Sequence, residues 1–116
     1  MKKFFLLIIL FVYCLGSQAA SYYLVTEPYP PYEFQENGKS VGMDVELIEL
    51  AAKKVGITLR IEFIPWARCI EMMKQGSADG IFSLLHNNER EAFIYYPPTP
   101  LYVARSVLFA RKNYSN

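Results

Sequence analysis

The sequence predicts an α/β fold, a mostly parallel sheet with flanking helices, and three observations carry that expectation. Apolar residues alternate between a two-residue and a helical period, in the order strand, helix, strand, helix, strand. Gly56 and Gly76 stand directly after the two helical stretches, where a left-handed residue ends a helix. The third strand segment, residues 80–85, is short and nearly all apolar, as a strand covered on both faces requires. Strands joined through helices run parallel, with right-handed crossovers.

Each element has a local reason. Residues 22–26 read as a strand, stopped by Pro28, Pro30 and Pro31. Asn37-Gly38 marks a turn between two polar stretches. Asp44 is placed to cap the first helix, whose apolar stripe is Val45, Leu47, Ile48, Ala51, Ala52 and Val55. Residues 57–64 alternate, with Ile57, Leu59, Ile61 and Phe63 on one face and Thr58, Arg60 and Glu62 on the other. Pro65 suits the first turn of a second helix, which carries Trp66, Cys69, Ile70 and Met73 on one side. The polar residues 86–91 suit a single helical turn, and the proline-rich residues 95–100 are extended or turning. Residues 103–110 suit a last strand, before a polar tail that frays.

The 116 residues allow one small domain, and 53% hydrophobic content with 20% charged residues excludes a disordered chain. Twelve basic residues stand against 11 acidic ones, so no basic excess serves a nucleic-acid partner. Residues 1–19 have the three parts of a secretory signal peptide: Lys2 and Lys3, an apolar run from Phe4 to Leu15, and the small-residue site Ser17-Gln18-Ala19. That run is about a dozen residues, short of the about 20 that span a bilayer, so no stable membrane insertion is expected after cleavage. Cleavage there removes Cys14 and leaves Cys69 as the single thiol, which excludes an internal disulfide. Cys69 and the single histidine, His86, form no metal cluster, and Cys69 reads as a small buried hydrophobe. No cofactor is expected.

Several spaced motifs form a larger pattern: Tyr29-Pro30-Pro31-Tyr32-Glu33-Phe34, Gly38-Lys39, Gly42-Met43-Asp44-Val45-Glu46-Leu47, Pro65-Trp66, Gly76 with Asp79, Glu89-Arg90, and Pro100-Leu101-Tyr102. This pattern resembles the N-terminal part of the family 3 extracellular solute-binding proteins, the periplasmic receptors of amino-acid ABC importers. The likeness covers about residues 22–112, in a divergent branch marked by Pro65-Trp66-Ala67-Arg68 and Asp79-Gly80-Ile81-Phe82. It implies a type 2 periplasmic-binding-protein-like lobe, here incomplete. Residues 20–116 would be the N-terminal part of lobe 1, without lobe 2 and the return strands. It also implies a periplasmic location, a small polar ligand with a carboxylate, such as an amino acid, and ABC importer membrane subunits as partners.

The resemblance assigns ligand-binding positions. Tyr29 matches an aromatic that stacks on the ligand, against the plain reading of a turn tyrosine packed on prolines. Trp66 follows the second strand, at the sheet edge where α/β folds bind ligands, although a lone tryptophan is more often core. Arg68 reaches the same cleft or is solvated. Arg90 matches the arginine that grips an α-carboxylate in a bidentate fork, whereas Glu89-Arg90-Glu91 alone reads as surface charge. Ser83 matches a position whose hydroxyl or backbone assists. Leu85, His86 and Asn87 replace the family's hydroxyl residues, with Asn87 offering an amide donor and His86 a pH-sensitive one. Asp44 and Asp79 read as structural. Two other classes use this fold: exported enzymes, for which Glu27, Glu33 and His86 are the loop candidates, and sensory input domains, which need a membrane helix downstream. The expected activity is binding without chemistry.

Overall fold

The computed structural model describes residues 19–112. Residues 1–18 of the expected export signal and residues 113–116 of the polar tail lie outside them. The chain divides into two compact units, one ending at Leu85 and one starting at His86.

In the first unit the central strand is β1 (Ser21–Thr26), whose last residues, Val25 and Thr26, are buried. It pairs in parallel with β4 (Thr58–Phe63) along its whole length, from Ser21 opposite Thr58 to Thr26 opposite Phe63. On its other side β5 (Gly80–Ile81) pairs in parallel with Leu24 and Val25, giving the order β4-β1-β5. The chain passes between the parallel strands through α1 (Met43–Val55) and α2 (Trp66–Gln75), as the sequence order requires. Val25, Cys69 and Ala78 form the core beneath α2, with Tyr23, Ile64, Trp66, Met72, Met73 and Ile81 packed around them. Cys69 is fully buried, and burial pushes its thiol pKa up. It fills space, as its sequence context suggests.

Asn37-Gly38 proves to be more than a turn. It joins β2 (Phe34–Glu36) to β3 (Lys39–Val41) in an antiparallel hairpin. Asn37 has φ 51° and Gly38 φ 74°, the two positive angles that a two-residue hairpin loop needs.

Asp44 does not cap α1. The helix starts one residue after Gly42, and its free N–H groups meet backbone instead: Met43 donates to the Pro31 carbonyl at 3.3 Å and Asp44 to that of Tyr32 at 2.9 Å. The loop after β1 therefore closes over the helix start, which frees the Asp44 carboxylate for another partner. Only glycine permits this approach. Gly42 has φ 121°, and a Cβ there would stand 2.2 Å from the Tyr32 carbonyl oxygen. The buried stripe of α1 is narrower than expected. Val45 and Ala52 are buried and Ile48 half-buried, whereas Leu47 and Val55 lie on the exposed face.

Two expected strands are corrected. The segment 80–85 is a strand only at Gly80–Ile81, because Ser83 adopts φ 57° and turns the backbone out of the ladder. Residues 103–110 form no strand and are exposed. Their alternation suits a sheet, but a ladder needs neighbouring backbone groups, and none pairs with them among the described residues.

The second unit contains a 3₁₀ turn, Asn88–Ala92, close to the helical turn expected at 86–91. Asn87 caps it, its Oδ1 accepting from the Glu89 N–H at 2.8 Å. Ile94 is buried, and its N–H donates to the Arg90 carbonyl at 2.7 Å. Among the described residues, no helix is long and apolar enough to cross a membrane.

Candidate functional site

Tyr29, Trp66 and Ser83 each follow one strand of the parallel sheet: Tyr29 after β1, Trp66 after β4 and Ser83 after β5. All three therefore stand at the carboxyl edge of the sheet, where open α/β folds bind ligands. The Tyr29 loop is tied by its own backbone. The Tyr29 N–H donates to the Glu33 carbonyl at 2.6 Å, and the Tyr32 N–H to the Tyr29 carbonyl at 2.9 Å. The rings of Tyr29 and Tyr32 stack at 5.5 Å with planes 11° apart, and Tyr29 remains 64% exposed. The result is a flat aromatic surface open to solvent.

Trp66 begins α2. Trp66 is half-buried and packs against the core. Its backbone N–H donates to the Glu27 carboxylate at 2.7 Å.

Beneath the Tyr29 loop lies a polar cluster that the sequence does not announce. Glu33 and Asp44 are both 2% exposed. The Ser83 hydroxyl donates to Asp44 Oδ2 at 2.5 Å. Glu33 Oε2 is buried without a hydrogen-bond partner. Loss of water pushes the Glu33 pKa up to about 7; the polar Ser83 side chain holds it back in part, and the nearby Asp44 charge adds to the rise. The only hint in the sequence is a charged residue between two aromatics, in Tyr32-Glu33-Phe34.

Arg68 is exposed on α2, and its positive charge acts on Tyr23 and Glu62. Those two are joined by a hydrogen bond from the Tyr23 hydroxyl to Glu62 Oε2, which chiefly raises the phenol pKa and lowers that of the carboxyl. Arg60 lies over the Tyr23 ring at 4.3 Å. Asp79 extends the sheet: its carboxylate accepts from the Tyr23 N–H at 2.7 Å, and its own N–H donates to the Tyr23 carbonyl.

Asn87 and Arg90 belong to the second unit. Asn87 spends its side-chain oxygen on the cap, and Arg90 is half-buried on the 3₁₀ turn. Exposed His86 contacts Glu91 through Nε2 at 2.7 Å and meets the Tyr96 ring edge-on at 4.8 Å. Among the described residues, no group of three or more histidine, cysteine or acidic side chains is arranged to hold a metal ion.

This fold is shared with solved structures of amino-acid receptors. An ancestral arginine-binding protein bound to arginine is 30% identical with a TM-score of 0.57, over 64% of this chain and 34% of its own. The L-cystine solute receptor of Neisseria gonorrhoeae, unliganded and open, is 26% identical with a TM-score of 0.56, over 65% of this chain and 34% of its own. Domain 1 of TmArgBP in its arginine-bound form is 28% identical with a TM-score of 0.54, over 63% of this chain and 60% of its own. The chain thus spans about a third of the length of the first two proteins. A comparison with curated proteins gave no match. Residues 23–116 match the family described as bacterial extracellular solute-binding proteins, family 3. With nearly the whole described chain inside that match, the protein belongs to family 3 of the bacterial extracellular solute-binding proteins.

Proposed function

We propose that the chain forms part of an exported receptor that captures a small polar, carboxylate-bearing ligand, such as an amino acid, for ABC import. The observation that carries this reading is the placement of Tyr29, Trp66 and Ser83 after three parallel strands, at one edge of the sheet. Residues 1–19 are the cleaved export signal, and residues 20–116 are the N-terminal part of lobe 1. The ligand is held in the periplasm between this lobe and a second, and hinge closure removes it from water.

In this reading the stacked Tyr29 ring and the exposed part of Trp66 wall the ligand and offer π faces to a cationic group. Arg90 grips the carboxylate with two parallel N–H donors, a geometry that lysine lacks. Ser83 supplies backbone or hydroxyl support, and the Asn87 amide nitrogen replaces a hydroxyl donor. Arg68 adds positive charge at the rim, which favours an anionic group.

Binding takes place without chemistry. Two of the loop groups suited to acid or base work are engaged by other partners, Glu27 on the Trp66 backbone N–H and His86 on Glu91, and the third, Glu33, is buried beneath the Tyr29 loop. The test is recovery of isotopically labelled L-arginine, L-glutamine and L-cystine after prolonged incubation with the chain. Retention of one of them unchanged is the expected outcome, and conversion to any product would overturn the reading.

A further inference from the structure

Helix α2 lacks an N-terminal partner of its own. Its N-cap is Pro65, which makes no side-chain cap bond, and no acidic residue stands in its first turn. The vacancy is filled from a distance of 39 residues by Glu27, whose Oε2 accepts the first N–H of the helix, that of Trp66, at 2.7 Å. Two further observations show that Glu27 is directed at this turn. The β1·β4 pairing continues past the strand ends, with the Ile64 N–H donating to the Thr26 carbonyl at 2.9 Å, so Glu27 is brought opposite residues 64–66. The Glu27 charge also reaches Cys69, one turn along α2, whose pKa is raised first by burial and additionally by that carboxylate.

We propose that Glu27 is a positioning residue: its carboxylate holds Trp66 at the orientation in which the indole walls the ligand cleft. The proposal rests on the receptor reading above. It gives that reading a mechanical link, because the turn that anchors Trp66 leads through Pro28 directly to Tyr29. The two aromatic walls are thereby fixed to one another through a single carboxylate. Loss of that bond leaves the Trp66 N–H to water and lets the first turn of α2 fray, which moves the indole without touching the ligand.

The chain has one tryptophan, so its fluorescence reports this position alone. Glu27→Ala and Glu27→Gln are compared with the unaltered chain by acrylamide quenching, melting temperature and calorimetric titration with L-arginine, L-glutamine and L-cystine. Glu27→Ala is expected to raise the quenching constant and to weaken ligand affinity about two- to fivefold, the size of a helix-end charge effect. Glu27→Gln keeps an acceptor and recovers part of both losses, and should Glu27→Ala not fold, Glu27→Gln supplies the comparison. A merely structural role would lower the melting temperature and leave affinity and quenching in the folded chain unchanged, and that result overturns the proposal. Quenching and binding fail separately. Unchanged quenching sinks the positioning role, while no amino-acid binding by the unaltered chain sinks the receptor reading itself.

Discussion

Ser83 satisfies two requirements at once: a left-handed backbone that ends β5 and a hydroxyl that bonds the buried Asp44 carboxylate. Glu33 is the group most affected. Its pKa of about 7 in the fold lies above the ordinary 4.5, so the folded state keeps a proton that the unfolded chain has lost. Stability therefore falls as pH rises from about 4.5 to about 7 and is level above that range. Glu33→Gln should remove this slope. Denaturant melts at pH 5 and pH 8 should show the variant gaining roughly 2 kcal/mol relative to the unaltered chain at the higher pH. Arg90→Ala should reduce affinity for carboxylate ligands at least about tenfold, by leaving a buried ligand charge unpaired. Arg90→Lys should restore only part, and calorimetry of all three forms measures both effects. The family resemblance singles out Tyr29, Trp66 and Arg90 as candidates; read alone, they pass for a turn tyrosine, a core tryptophan and a surface charge. The sequence conceals the joining of Glu33, Asp44 and Ser83, because the Ser83–Asp44 bond spans 39 residues and follows from the fold alone.

At the scale of elements, periodicity locates α1, α2, β1 and β4 to within a residue or so, since each is long enough to show its repeat. What it misses are places where backbone geometry overrides pattern. β5 stops after two residues at the left-handed Ser83, and α1 is capped by loop carbonyls instead of Asp44. The junction of the Tyr29 loop with α1 depends on Gly42. Gly42→Ala would combine a disfavoured φ of 121° with a backbone contact at 2.2 Å, so neither the loop nor the helix start can stay in place. Thermal melts should show a loss of about 2–3 kcal/mol or more. Gly38→Ala, which meets nothing within 4 Å at φ 74°, should cost about 1 kcal/mol.

Over the whole molecule, the described residues bury few apolar side chains and leave many exposed. Val25, Val45, Ala52, Cys69, Ala78 and Phe82 make up the buried apolar residues of the first unit, while Leu108 and Phe109 stand fully in solvent. The chain covers about a third of the length of the arginine-binding and L-cystine-receptor structures it resembles. Ligand affinity of the chain by itself should therefore be weak, with a dissociation constant on the order of 1 mM. The central claim, the proposed capture of an amino acid by its carboxylate, is tested most directly by calorimetric titration of the chain. The titrants are L-arginine, L-glutamine and L-cystine, with the decarboxylated amine of arginine as the control. Saturable one-to-one binding of at least one amino acid, with no heat from the amine, is the predicted result. Absence of binding by all three at millimolar concentrations, or equal binding of arginine and its amine, would contradict it.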